Sequence, residues 1–238
     1  MIGGAMNALA GGGSFATMPS LLAAGLPANI ANATSNVALM PGAAASAWAF
    51  RDELGPVGGV SYRWLAAITF VAGLVGSLLL VLTPARAFDL IVPWLVLYAF
   101  VVLAFGRAAS DWLRQRVTIG TRTLMVVQAV LGIYGGYFGG GVGLMTTATY
   151  GLLAGHSPRE LFAPRTLMLA VANAAAAIVF VATGLVQWTL GAPMLAGALV
   201  GGWAGAGLGK RLPAGVIRAW TLLVTGATTL VFFWRAYA

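Results

Sequence analysis

The sequence predicts an all-α polytopic membrane protein made of two internal repeats. Three observations carry that prediction. Sixty per cent of the residues are hydrophobic and only 8% are charged, against about 25% charged in a soluble domain. The apolar residues run in segments of roughly 20, the length of a membrane span. A glycine triplet interrupts an apolar segment twice, at Gly11-Gly12-Gly13 and at Gly139-Gly140-Gly141, 128 positions apart in a chain of 238. Three glycines in a row break a helix. In lipid, the freed N–H and C=O groups must find protein, ligand or water. A break repeated in each half of a membrane chain points to the binding site of a duplicated transporter.

The elements follow in order. A first arm runs from Met1 to Ala10, then the break, then an arm from Ser14 to Ala24. Spans follow at Asn29–Phe50, Tyr62–Leu82 and Ala87–Phe105. The first repeat is residues 1–106, a polar connection occupies 107–121, and the second repeat is 122–238, all within one membrane domain. The second repeat restates the order: an arm from Arg122 to Phe138, the break, an arm from Val142 to Ala154, then spans at Leu161–Thr183, Trp188–Leu208 and Ala214–Trp234. Gly25-Leu26-Pro27 follows the first break and Gly155-His156-Ser157-Pro158 the second. Each is a turn with Pro near the first turn of the next helix. Aligning the glycines pairs Met1 with Ala129 and leaves Arg122–Gln128 without a counterpart. The sequence therefore predicts either a natively short first arm or a misplaced or trimmed start.

The basic residues separate two topologies. If both broken segments cross, eight spans divide the thirteen Lys and Arg seven to six. If both are re-entrant hairpins, six spans leave only Arg86 and Arg235 on one side and eleven on the other. Membrane proteins concentrate Lys and Arg on one side, so hairpins are preferred. Arg122–Ala154 would also be about 50 Å long as one helix, too long for a hydrocarbon core of about 30 Å. Three crossings per half invert the second repeat relative to the first, giving a pseudo-two-fold pair.

Composition excludes several functions. There is no cysteine, so thiol catalysis and thiolate metal sites are absent, and His156 is the only histidine. No metal and no cofactor are expected. The net charge of +8 comes from residues scattered through short connections, which argues against nucleic acid as a partner. No basic residue precedes Arg51, so the chain lacks the charged start of a signal peptide. The acids Asp52, Glu53, Asp89, Asp111 and Glu160 all lie outside span centres, which argues against a cation substrate. Trp64, Trp94, Trp112, Trp188 and Trp234 fall near span ends, as an interfacial belt does.

The chemistry is expected at the breaks. The arm after each break begins with unpaired N–H groups and a positive helix dipole. Gly12, Gly13 and Ser14 in the first half, and Gly140, Gly141 and Val142 in the second, are therefore candidate anion ligands. Close helix packing is the alternative role for glycine in membranes. Thr34, Ser35 and Asn36 add three consecutive polar side chains in an apolar run, for an anion or for interhelical hydrogen bonds. Arg165 and Thr166 stand seven residues after Pro158, as Thr34 stands seven after Pro27. Arginine suits an oxyanion, or snorkels to the interface. Asn7, Gln128 and Asn173 are isolated intramembrane polar groups and weaker candidates.

Gly11-Gly12-Gly13-Ser14-Phe15, Pro19, Gly25-Leu26-Pro27 and Ala33-Thr34-Ser35 together resemble the first half of the sulfite exporter TauE/SafE family, also described as 4-toluenesulfonate uptake permease-like. Gly139-Gly140-Gly141-Val142-Gly143, Gly155, Pro158 and Gly184 with Trp188 are similar to its second half. Arg165 departs from the pattern, standing where a second Ala-Thr-Ser-like stretch would begin. The resemblance implies a multi-pass carrier of the cytoplasmic (inner) membrane for small sulfur-containing anions such as sulfite, sulfoacetate and related sulfonates. The expected partners are a small anionic substrate and the lipid bilayer. A passive anion channel and a carrier for a non-sulfur organic anion are the alternatives. A membrane enzyme is disfavoured by the lack of a buried acid pair.

Overall fold

The computed structural model describes residues 1–114, 120–155, 160–209 and 213–237. Among these residues it is all-helical. A mutual backbone pair of 2.9 Å between Val57 and Val60 is the only β-type pairing described. The helices are α1 (Ile2–Ala10), α2 (Ser14–Ala23), α3 (Ala28–Ala49), α4 (Tyr62–Leu82), α5 (Ala85–Arg114), α6 (Thr121–Tyr137), α7 (Val142–Ala154), α8 (Phe162–Ala182), α9 (Trp188–Gly209) and α10 (Ala214–Tyr237).

Both glycine triplets interrupt helices, as the sequence predicts. A helix also occupies each expected span. The expected end of the Ala87–Phe105 span is corrected: α5 continues to Arg114, so part of the predicted 107–121 connection is helical. The Pro158 turn lies outside the described residues. On the far side of it, α8 starts at Phe162. Arg165 is thus in the first turn of α8, whereas Thr34 is nearly two turns into α3.

Tyr62–Leu82, Ala85–Gly106, Phe162–Ala182 and Gly215–Tyr237 are long and apolar enough to cross a membrane. α3 and α9 have comparable length at 22 residues each. α3 is made less apolar by Asn29, Asn32, Thr34, Ser35 and Asn36. Large apolar side chains face outward all around the bundle, among them Leu82, Val126, Trp203 and Leu230. Such a surface requires lipid around it. Trp64, Trp94, Trp188 and Trp234 are among the exposed residues.

Packing is dominated by small residues, because lipid supplies no hydrophobic drive between helices. α6 lies on α4, with Gly136 against the Gly73 carbonyl and Gly76 against the Ile133 carbonyl. α1 lies on α9, with Gly4 against the Ala198 backbone and Gly201 against the Met1 carbonyl. Both pairs run parallel. α5 and α10 run antiparallel: the Tyr237 hydroxyl donates to the Leu90 carbonyl at one end, and Arg218 donates to the Ala104 carbonyl at the other. α3 and α8 are also antiparallel neighbours, with the Phe50 and Phe162 rings edge-to-face at 4.7 Å.

Each arm after a break turns back on the arm before it. Gly3 touches Thr17 and the Gly13 carbonyl, and Gly135 touches Val142. In one continuous helix, residues 3 and 17 would be about 21 Å apart. Pro19 in α2 frees the Phe15 carbonyl, since proline has no N–H to offer it. The Thr228 hydroxyl of α10 donates to that carbonyl at 3.0 Å. Gln128, Thr69 and Tyr150 form a buried chain: the Gln128 amide donates to the Thr69 hydroxyl (2.6 Å), and the Tyr150 hydroxyl donates to the Gln128 amide oxygen (2.7 Å). This chain ties α6 and α7 to α4.

Candidate functional site

The two breaks meet. A Cβ on Gly11 would lie 2.8 Å from the Gly143 Cα, and one on Gly141 would lie 2.9 Å from the Phe15 ring. Gly139 and Gly141 have φ of 74° and 79°, a left-handed conformation that side chains disfavour. That pair of kinks turns the chain from α6 into α7 within a few residues. The Tyr134 hydroxyl donates to the Gly140 carbonyl at 2.7 Å and holds the kink from α6.

The breaks differ in how their amides are satisfied. At the first, Gly11 donates to the Asn7 carbonyl, Gly13 reaches the Asn7 side-chain oxygen at 3.4 Å, and Phe15 and Ala16 donate within the turn. Asn7 is therefore a cap for this break. At the second, the amides from Gly140 to Leu144 have no close hydrogen bond among the described residues beyond the turn that Gly139 opens into α7. They include the whole first turn of α7, where the helix dipole is positive.

α3 supplies side chains to both breaks. Ser35 is 2.5 Å from the Thr17 hydroxyl, which also bonds the Gly13 carbonyl. Asn36 is 2% exposed, and neither its amide nitrogen nor its oxygen has a partner. Its Nδ2 lies against Gly139, 2.5 Å from where a Cβ would stand. One turn earlier, Asn32 donates through Nδ2 to the Tyr137 carbonyl at 3.0 Å. That bond fixes the amide's orientation and leaves its Oδ1 buried without a partner. Asn32 was not singled out by the sequence. Its spacing of four from Asn36 puts both on one helix face, and that spacing was the available signal. Thr146 of α7 and Asn173 of α8 also carry buried, unpartnered oxygens.

The remaining predicted residues are placed as follows. Gly12 and Ser14 are buried at the first tip, with Gly12 near Phe15 and Leu144. Val142 is buried against Gly135. The Thr34 hydroxyl accepts from the Gln187 amide at 3.0 Å, toward the start of α9. Thr166 donates to the Phe162 carbonyl within its own helix. Arg165 donates to the Leu9 carbonyl at 3.1 Å, and its guanidinium lies over the Phe162 ring at 4.4 Å. Arg165 thus places a positive charge at the C-terminal end of α1, whose dipole is negative there. The structure brings Asn36, Gly140, Gly141 and Val142 to the second break, and Gly13, Ser35 and Arg165 to the first.

Two surface cavities lie elsewhere. One of about 440 Å³ sits between α2 and α10, lined by Pro19, Leu22, Trp234 and Arg235. The other, about 300 Å³, is lined by Glu53, Pro56, Glu160 and Pro164. No triplet residue lines either of them, and the tips are in van der Waals contact. No cluster of His, Cys, Asp and Glu able to hold a metal occurs among the described residues.

The chain matches the sulfite exporter TauE/SafE family over residues 1–232. It is 30% identical over 214 residues to the probable membrane transporter protein YfcA of Escherichia coli (strain K12), covering 89% of this chain and 77% of the relative. A probable membrane transporter protein of Haemophilus influenzae is 29% identical over 205 residues, covering 84% and 78%. The probable membrane transporter protein ORF9 of a Sinorhizobium species is 26% identical over 232 residues, covering 96% and 87%. No solved structure matches the chain. The chain belongs to the TauE/SafE family of multi-pass membrane transporters.

Proposed function

We propose that this protein is a secondary carrier of the cytoplasmic membrane for a small anion, a sulfur oxyanion or organosulfonate, working by alternating access. The carrying observation is the run of amides from Gly140 to Leu144 at the start of α7 with the unpartnered Asn36 beside it. Backbone donors and a positive helix end bind anions without a cationic side chain. In a water-poor site, such donors cost too much to leave unsatisfied throughout a transport cycle. Gly140, Gly141, Val142 and Asn36 hold the anion. Gly12, Gly13 and Ser14 close over it from the first tip. Ser35 and Thr34 brace α3, and Arg165 with Thr166 approaches from α8 at the α1 end.

The transport mode rests on an inverted pair of repeats. Helix partners exchange consistently between halves: α6 on α4 matches α1 on α9, and α4 beside α8 matches α9 beside α3. The equivalent helices α5 and α10 run antiparallel, as do α3 and α8, which supports inversion over parallel duplication. Arg235 lies 3.9 Å from Asp89 at the same end as Arg86. Hairpins put Arg86 and Arg235 on one side, while fully crossing arms would put them on opposite sides.

Purified protein in proteoliposomes tests this reading. Sulfite influx should saturate with concentration, show counterflow against internal sulfite, and produce no unitary currents in a planar bilayer. Non-saturating flux with unitary currents would replace the carrier by a channel. Counterflow with small carboxylates but not with sulfur anions would remove the sulfur assignment.

A further inference from the structure

The second break offers acceptors as well as donors. Asn36 is buried with both its Nδ2 and its Oδ1 unpartnered, so it needs one acceptor and one donor whichever way its amide is turned. Asn32 Oδ1 needs a second donor, because its own nitrogen is committed to the Tyr137 carbonyl. A fully deprotonated oxyanion has acceptors only. It would accept from the amides at the start of α7 but offers no donor to the two buried Asn oxygens. Resting on the anion site above, we propose that the transported anion carries an O–H or N–H donor beside its oxyanion head, which Asn32 and Asn36 read. A hydrogen-oxyanion such as hydrogensulfite supplies one such donor, for one of the two carbonyls, as does a sulfonate with a neighbouring hydroxyl. A site built around a ligand's donor rejects the analogue lacking it far more strongly than an apolar pocket rejects an extra methylene.

The test uses two sulfonates of nearly equal size, 2-hydroxyethanesulfonate and propane-1-sulfonate, titrated against the full-length protein in nanodiscs by calorimetry. The wild type should bind the hydroxylated anion at least about tenfold more tightly. Asn32→Leu should bring the two affinities to within about twofold, chiefly by weakening the hydroxylated ligand. The comparison in the wild type stands by itself if that variant fails to fold. Equal wild-type affinities for the two anions would overturn the donor requirement and leave the anion site intact. Binding of neither anion, nor of sulfite, would overturn both.

Discussion

Asn36→Leu should give a protein that folds as well as the wild type and transports about 100-fold more slowly. The side chain is buried and makes no hydrogen bond in the protein. A polar group of that kind destabilises the fold, by roughly 1–3 kcal/mol for an unsatisfied buried group. Leucine of similar volume removes that cost, so the melting temperature in detergent should stay the same or rise. Transport should respond in the opposite direction. Asn36 is the side chain lying against the second break, and losing one preorganised donor to an oxyanion is worth about 10²–10³ elsewhere. Sulfite counterflow and a thermal melt on the same preparation separate the two effects. A large drop in melting temperature would make Asn36 a structural residue. Unchanged counterflow would remove it from the site.

Gly76→Leu should give no folded protein at all. A Cβ at position 76 would overlap the Ile133 carbonyl oxygen and come within 2.8 Å of the Ile133 carbonyl carbon and the Tyr137 amide. All three are backbone atoms of α6, so no rotamer change makes room. The two helices must separate along their closest approach, which exceeds the 1–3 kcal/mol typical of overpacked cores. The same displacement would pull the Gln128–Thr69 bond apart. Gly55→Ala is the matched control, since nothing lies within 4 Å of its added Cβ and surface changes of this type stay within about 0.5 kcal/mol. The measurement is the monodisperse fraction after detergent extraction. A normal yield of Gly76→Leu would refute the packing of α4 on α6.

The helical class, the two breaks and the positions of the main helices were legible because each leaves a local mark. Apolar runs have span length, and three glycines stop a helix whatever surrounds them. The difference between the breaks was not legible. It arises where Asn32 and Asn36 meet Tyr137 and Gly139, more than 100 residues away in the chain, and periodicity does not report on such meetings. Arg165 illustrates the same limit. Its spacing from Pro158 matched that of Thr34 from Pro27, yet its helix starts later and the guanidinium reaches the Leu9 carbonyl. The end of α5 was not legible, because the charged residues after Phe105 read as a connection while the helix continues through them to Arg114. Polar side chains end a membrane span, and a helix extends past it wherever its backbone bonds continue.

Hydrogen–deuterium exchange of the reconstituted protein, with and without saturating sulfite, addresses the anion site most directly. Capture of the solute by exposed backbone donors predicts slowed exchange in the peptide containing Gly140–Leu144, with a dose dependence that matches the transport KM. Exchange in that peptide unaffected by sulfite, while counterflow proceeds normally, would contradict it.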